Sequence, residues 1–264
     1  MRIRISEITI GRIADGLKRR ISNIPHWLTW QMAKNQHERL AEIKNRHKGE
    51  RCFLIANGPS LKKIDLTLIK DEITVGMNRI YLLFNENFST TYCTVINELV
   101  IDEFHEDLDA LKSETFVNWT KRSLFKNQSQ RYFYVQNALE DGFSCDLSKG
   151  VYSGGTVTYA SLQLAYHMGF DEVIIVGLDH SFADKGTPNK TEIRTGTDTN
   201  HFHPEYFPKG IKWQLPDLYR SELAYAKARS MFEADGRRIL DATIDGKCDV
   251  FEKIEYASLF EVKE

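Results

Sequence analysis

The sequence predicts an α/β fold of the Rossmann-like, doubly wound type, in which a mostly parallel sheet carries helices on both faces. Two observations lead to this prediction. Short runs rich in apolar and β-branched residues recur from residue 52 onward, and they read CFLIA, EITVGM, YCTVIN, TFVNW, RYFYV, EVIIVG and RRILDAT. Helical segments lie between these runs, notably at 98–112, 155–168 and 217–235. Apolar strands joined by crossover helices are typical of a parallel sheet that is buried on both faces.

The composition is that of a soluble globular protein. The chain has 264 residues, of which 42% are hydrophobic and 27% are charged, and its formal net charge is -2. This balance gives no reason to expect nucleic acid as a partner. The four cysteines show no CxxC spacing, which is typical of reduced cytosolic thiols. Neither a membrane-spanning run nor a signal peptide is evident, so we expect a cytoplasmic protein.

Residues 1–48 are predicted to form a basic helical extension in front of a domain at 49–264. The extension holds eleven Lys or Arg against four Asp or Glu. Helical spacing of apolar residues is interrupted at Pro25 and resumes with Trp27 and Trp30; before the break it involves Ile5, Ile8, Ile13 and Leu17. Such helices suit peripheral contact with the inner membrane face. The favoured alternative is packing on their own domain or on another subunit of a homo-oligomer.

Polar residues stand where three predicted strands end, at Asn57, Asn78 and Asn97. Ligands of doubly wound sheets bind beyond the carboxyl ends of the strands, and an amide offers both donors and an acceptor. We therefore expect these side chains to gather around one nucleotide, with Asp179 at a fourth strand end. The alternative is that each Asn only caps a turn.

Two glycine-containing stretches are further candidates for ligand contact. In Asn57-Gly58-Pro59-Ser60, Gly58 lets the backbone approach a ligand and Ser60 caps the next segment of the chain. The stretch is neither GxGxxG nor a P-loop. A second stretch, Ser153-Gly154-Gly155, opens a helix whose free N–H groups suit an anion, although it also fits an N-cap with a flexible lead-in.

The stretch 183–216 is polar, rich in Gly, Pro and aromatic residues, and lacks a clear period. Aperiodic stretches of this length are commonly lids or binding loops, and we predict a lid. His201 and His203 lie in it, and neutral histidine suits a general base near pH 7. Zinc is disfavoured because no third ligand stands at metal-site spacing, so no metal is assigned.

Several motifs together resemble a known family. GERCFLIANGPSLKKIDL, VGMNRIY, VINELV, YSGGTVTYASLQLAYHMGFDEVIIVGLDHSF and NHFHPEYF resemble a bacterial family of unknown function. Its relatives include the archaeal hydroxymethylpterin diphosphokinases (MptE-like) and the flagellin-modifying motility accessory factors. The same outline resembles the bacterial sialyltransferases of glycosyltransferase family 42. The resemblance covers about residues 49–260.

This resemblance implies a metal-independent glycosyltransferase for surface polysaccharide or glycoprotein assembly. Its donor would be a nucleotide-activated sugar, CMP-linked and sialic-acid-like, and its acceptor a glycan or a lipid-linked molecule. By the same resemblance, Asn57 contacts the nucleotide near its phosphate and Asn78 and Asn97 contact the donor. Ser153 and Gly154 would hold the cytidine or the phosphate.

The resemblance also assigns roles to the lid. His201 or His203 would be the base, Tyr206 would steady the leaving phosphate, and Tyr219 is a weaker candidate for that role. Two other functions stay open. One is a diphosphokinase that uses ATP and Mg²⁺, for which carboxylates would have to hold the metal, with Asp179, Asp65 and Asp184 as candidates. The other is a non-catalytic nucleotide-binding scaffold.

Overall fold

The computed structural model describes residues 24–137 and 141–260. Within them, eight strands form one sheet: β1 Arg51–Ile55, β2 Thr74–Met77, β3 Tyr92–Val95, β4 Glu114–Asn118, β5 Arg131–Tyr134, β8 Glu172–Val176, β11 Arg238–Asp241 and β12 Glu252–Lys253. A separate parallel pair is formed by β6 Gln136–Asn137 and β7 Val151–Tyr152. The order in the large sheet is β12-β11-β8-β1-β2-β3-β4-β5. Every neighbouring pair in this sheet is parallel, which confirms the predicted Rossmann-like fold.

The described helices are α1 at 24–31, α2 Lys34–Glu42, α3 Glu98–Asp109, α4 Val157–Met168 and α5 Leu218–Ala234. The last three begin at side-chain caps, because Asn97, Thr156 and Asp217 each accept a hydrogen bond from a backbone N–H in the first turn. Helix α4 is buried along almost its whole length, and Gly169 ends it in the left-handed conformation at φ 88°. These three helices correspond to the three predicted from the sequence.

The position of β1 determines where a ligand can enter. Strand β1 pairs with β2 on one side and with β8 on the other, so the chain order reverses between β1 and β8. At such a switch point the connections leave the sheet in opposite directions, and a crevice opens beyond the carboxyl ends of the strands. Asn57 follows β1 and Asp179 follows β8, so both residues stand at this crevice.

The described part of the basic extension, residues 24–48, packs on the sheet. Trp30 is buried against Trp119 with ring centroids 5.3 Å apart, and Leu40 and Ile43 belong to the same core as the strands. Residues 24–48 thus share a core with the domain predicted at 49–264, and the boundary at residue 48 stays a prediction. The predicted helix through Ile5, Ile8, Ile13 and Leu17 lies outside the described residues. No helix in the described ranges has the length and apolar character needed to cross a membrane.

The lid segment, residues 183–216, contains an antiparallel hairpin of β9 Thr191–Ile193 and β10 Lys212–Gln214. Its interior is aromatic, with Phe202, Tyr206, Phe207 and Trp213 all buried. Two contacts hold the segment on the sheet. The Phe202 N–H donates to the Asn57 carbonyl at 3.0 Å, and Arg79 Nη1 donates to the Glu205 carbonyl at 2.7 Å and to that of Tyr206. This segment is stabilised by a cluster of aromatic rings and contains little regular secondary structure. Its sequence therefore shows no helical or strand period.

Candidate active site

A cavity of about 220 Å³ lies at the switch point between β1 and β8. Its walls come from the turn after β1, the ends of β2 and β8, the start of α4, and the lid segment. Among the sequence-predicted residues, those that line it are Asn57, Gly58, Asn78, Asn97, Gly155, Asp179, His201 and Tyr206. Those outside its lining are Ser60, Ser153, Gly154, His203 and Tyr219.

The turn after β1 is locked against the end of β8. The Gly58 N–H donates to the Gly177 carbonyl at 2.9 Å. Ser60 donates to the Asp179 carboxylate from its N–H at 3.1 Å and from its hydroxyl at 2.6 Å. Ser60 is therefore engaged with Asp179 and does not face a ligand. Burial raises the pKa of Asp179, although the two hydrogen bonds from Ser60 act in the opposite direction.

The three strand-end asparagines share the cavity but differ in their bonding. Asn97 accepts a hydrogen bond from the Leu99 N–H at 3.0 Å and caps α3. The Oδ1 atoms of Asn57 and Asn78 are buried and have no hydrogen-bond partner within the described residues. Asn57 is only 8% exposed. Because buried polar groups are normally satisfied, two unpaired amide oxygens at one cavity point to a polar ligand.

His201 is the best-positioned base at the cavity. Its Nδ1 lies 2.8 Å from Oδ2 of Asp198, whose side chain is fully buried. A carboxylate can only accept, so Nδ1 carries the hydrogen and Nε2 of the neutral ring is left as an acceptor. The imidazole stacks on Tyr206 with ring centroids 4.0 Å apart and planes within 5°. These contacts fix both the tautomer and the orientation of the ring.

Asp198 is in turn held by the lid segment itself. The Asn200 N–H donates to its Oδ1 at 2.9 Å, and Arg194 Nη2 stands 3.8 Å from the same atom. Arg194 also donates to Asp184 at 2.8 Å, so Asp184 belongs to this network. Burial by itself would raise the pKa of Asp198, but the hydrogen bond and charge of His201, with smaller contributions from the Asn200 N–H and the Arg194 charge, together lower it. Asp198 therefore stays charged beside His201.

The remaining tyrosines and His203 occupy different environments. Tyr206 is 1% exposed and forms the wall behind His201, and burial raises its pKa, so it is a neutral hydroxyl. Tyr219 is 71% exposed on α5. His203 Nδ1 accepts a hydrogen bond from the Glu205 N–H at 3.1 Å, which is a local turn contact. Of the two lid histidines that the sequence leaves equivalent, only His201 reaches the cavity.

Of the stretch Ser153-Gly154-Gly155 before α4, only the last glycine lines the cavity. Gly155 and the cap residue Thr156 line the cavity, whereas Ser153 accepts a hydrogen bond from the Gly155 N–H at 3.3 Å. Gly154 faces inward, because a Cβ placed on it would lie 2.4 Å from Tyr159 and 2.7 Å from Ala224. Gly154 is therefore needed for close packing against Tyr159 and Ala224. The first residue of this stretch to line the cavity is Gly155.

Four residues of the site were given no role from the sequence: Asp198, His180, Trp213 and Tyr225. Asp198 has one local signal, because it stands three positions before His201. Trp213 forms part of the lid wall with the Arg194 guanidinium 4.1 Å from its ring centroid. Within residues 24–137 and 141–260, no cluster of three or more His, Cys, Asp or Glu side chains could hold a metal ion.

Comparisons with known proteins gave a family match and a similar solved structure. No curated protein matches it. A solved structure with a similar fold is the sialyltransferase CstII from Campylobacter jejuni in complex with a substrate analogue, cytidine-5'-monophosphate. Its sequence identity is 10%, its TM-score is 0.46, and the match covers 78% of this chain and 85% of that chain.

The family model described as 6-hydroxymethylpterin diphosphokinase MptE-like matches residues 28–185, which is more than half of the chain. The matched range runs from α1 through β8 and includes the turn after β1 and the start of α4. These features fit a nucleotide-binding α/β protein. The chain belongs to the 6-hydroxymethylpterin diphosphokinase MptE-like family.

Proposed function

We propose that this protein is a glycosyltransferase that moves a sugar from a nucleotide-activated donor to an acceptor hydroxyl. The observation that carries the proposal is the Asp198–His201 pair, which presents an oriented imidazole to a cavity at the switch point of the sheet. Hydroxyl acceptors need a base at the moment of attack, and a carboxylate-supported imidazole is the usual protein solution.

The proposed reaction uses this geometry directly. The acceptor oxygen bonds to the anomeric carbon of the donor sugar while its proton passes to His201 Nε2. The bond from the anomeric carbon to the phosphate oxygen breaks, and its electron pair leaves with the nucleotide. Asp198 stabilises the imidazolium that forms, and Tyr206 keeps the ring in place by stacking. Asn57 and Asn78 supply unpaired amide oxygens that can accept hydrogen bonds from the donor.

The CMP-linked, sialic-acid-like donor and the glycan or lipid-linked acceptor are proposed from the sequence resemblance. The motifs that carry it include the turn after β1 and the start of α4, and both lie at the cavity. Cytoplasmic localisation and self-association stay predictions from the sequence.

A diphosphokinase is the second candidate, because the matching family model bears that description. Its Mg²⁺ ion would need free carboxylates. Asp179 is the one carboxylate in the described cavity lining, and each of its oxygens accepts a hydrogen bond from Ser60. Asp65 accepts from Thr67 at the start of a short helix, and Asp184 pairs with Arg194. In that reaction Asp179 is the residue that would hold Mg²⁺ together with the substrate phosphates.

The test measures nucleotide release from CMP-sugars with acceptor, and AMP formation from ATP, Mg²⁺ and hydroxymethylpterin. The variants are His201→Gln and Asp198→Asn, with His203→Gln as the matched control from the same segment. We expect His201→Gln to lower kcat about 100-fold or more and Asp198→Asn about tenfold, with CMP affinity unchanged. His203→Gln should retain full turnover.

Three results would contradict the proposal. Full activity of His201→Gln would remove the assigned base. Turnover confined to ATP with Mg²⁺ would replace the glycosyltransferase by the diphosphokinase. Binding of nucleotides without any turnover of either donor would favour the scaffold.

A further inference from the structure

A second histidine–carboxylate pair stands at the same cavity. His180 follows β8, lines the cavity, and its Nε2 lies 2.9 Å from Oε1 of Glu222 on α5. The His180 side chain is 5% exposed, whereas that of Glu222 is 48% exposed. The backbone of His180 is left-handed, with φ 53°, which is uncommon for a residue other than glycine. Conformations of this kind persist where the surroundings require them, and they cluster at functional sites.

The bonding of His180 leaves one ring nitrogen for a ligand. Glu222 can only accept, so Nε2 is the donor in this pair. Nδ1 has no hydrogen-bond partner among the described side chains and backbone groups. Contact of Nδ1 with an anion requires the imidazolium form, in which both ring nitrogens donate, Nε2 to Glu222 and Nδ1 to the ligand. The preceding residue, Asp179, lines the same cavity, and its carboxylate accepts hydrogen bonds from Ser60. His180 is thus the basic side chain that this part of the cavity offers.

The surroundings of His180 suit an anion. Tyr225 connects it to the start of α4: the two rings have centroids 6.0 Å apart, and the Tyr225 hydroxyl lies 3.2 Å from Oγ1 of Thr156. The N-terminus of the twelve-residue helix α4 therefore opens close to His180, with its partial positive charge toward the cavity.

We infer that His180, held by Glu222, binds the phosphate of the donor nucleotide between its imidazole and the N-terminus of α4. This inference rests on the proposed function, because it concerns the donor of the same reaction. It divides the site into two halves. The lid half, with His201 and Asp198, faces the acceptor hydroxyl, and the β8–α5 half, with His180 and Glu222, faces the leaving phosphate.

Equilibrium binding tests this assignment without requiring turnover. The ligands are two matched pairs, CMP with cytidine and ADP with adenosine, each pair differing only in phosphate. The variants are His180→Asn, which tolerates the left-handed backbone, and Glu222→Gln. The matched control is Glu233→Gln, which removes another α5 glutamate that pairs with a basic residue, Arg229, at 2.6 Å.

We expect His180→Asn to weaken binding of the preferred nucleotide about tenfold, because a charge-assisted hydrogen bond is lost. Glu222→Gln should weaken it by a smaller factor, and Glu233→Gln should have no effect. Affinity for the corresponding nucleoside should stay within about twofold of the wild type, which also shows that the variants are folded.

Each other outcome is informative. Unchanged nucleotide affinity in both variants overturns the inference and leaves the glycosyltransferase proposal intact. An equal loss for nucleotide and nucleoside overturns it too, because the role of His180 would then be structural. A wild-type protein that binds neither nucleotide overturns both the inference and the proposed function. Phosphate-dependent binding without sugar transfer supports the inference and contradicts only the proposed function.

Discussion

Replacement of Gly58 by alanine tests how tightly the turn after β1 is locked against β8. A Cβ at this position would lie 1.8 Å from Oδ2 of Asp179 and 2.6 Å from the Gly177 carbonyl oxygen. Ordinary contacts of a Cβ are 3.4 Å or longer. The backbone of Gly58 is extended, at φ -73° and ψ 160°, so alanine meets no conformational penalty and the whole effect is steric.

Relief of this overlap requires two changes. Asp179 must rotate away and give up a hydrogen bond from Ser60, which costs about 1.5–3 kcal/mol for a charged acceptor. The backbone at Gly177 must also shift, and overpacking of this kind costs about 1–3 kcal/mol. We therefore expect Gly58→Ala to lower the free energy of unfolding by about 3–5 kcal/mol, a large part of the stability of an ordinary domain.

Chemical denaturation followed by circular dichroism measures this difference. Gly196→Ala is the control, because a Cβ there would have no neighbour within 4 Å, and it should change the free energy of unfolding by less than about 1 kcal/mol. If Gly58→Ala unfolds within about 1 kcal/mol of the wild type, the turn is not locked as described and the reasoning fails.

Two further predictions concern the lid and the N-terminal region. The pKa of Asp198 is lowered in the folded protein, so its carboxylate stabilises the fold above its ordinary pKa of 3.8 and this contribution is lost as pH falls through the lower folded value. The stability difference between wild type and Asp198→Asn should therefore shrink below about pH 4; an equal difference at pH 7 and pH 3 would contradict this assignment. Trp27 is 51% exposed beside Ile24, Leu28 and Met32, in the basic region 1–48, so Trp27→Ser should weaken binding to phosphatidylglycerol vesicles about tenfold. Leu68→Ser, at 48% exposure elsewhere, should not, and equal binding by both variants would argue against membrane contact.

The fold was predictable because buried strands and helices appear in the sequence as continuous apolar runs. Strand β8 is buried on both faces, and its residues form the continuous apolar run EVIIV. Helix α4 is likewise read from its apolar length and from the polar residues at its start. Once the strands are predicted, the residues at their carboxyl ends are known as well. The prediction that Asn57, Asn78 and Asn97 lie at one cavity therefore required only the order of residues in the chain.

The bonding within the site was less predictable, because it joins residues far apart in the chain. Ser60 and Asp179 are 119 positions apart, and their hydrogen bond turns Ser60 away from the cavity. His180 and Glu222 are 42 positions apart on different elements. The choice between His201 and His203 depended on how the aromatic interior of the lid segment folds, and no period in the sequence records that packing.

Local residue patterns alone predict the parallel sheet, its crossover helices and the edge at which polar side chains collect, because buried strands and helix caps each favour particular residue types. The three-dimensional contacts are needed to tell which of those side chains are free for a ligand and which are satisfied by one another. That distinction depends on distances of about 3 Å between atoms of separate elements, and such distances are set by packing rather than by neighbours in the chain.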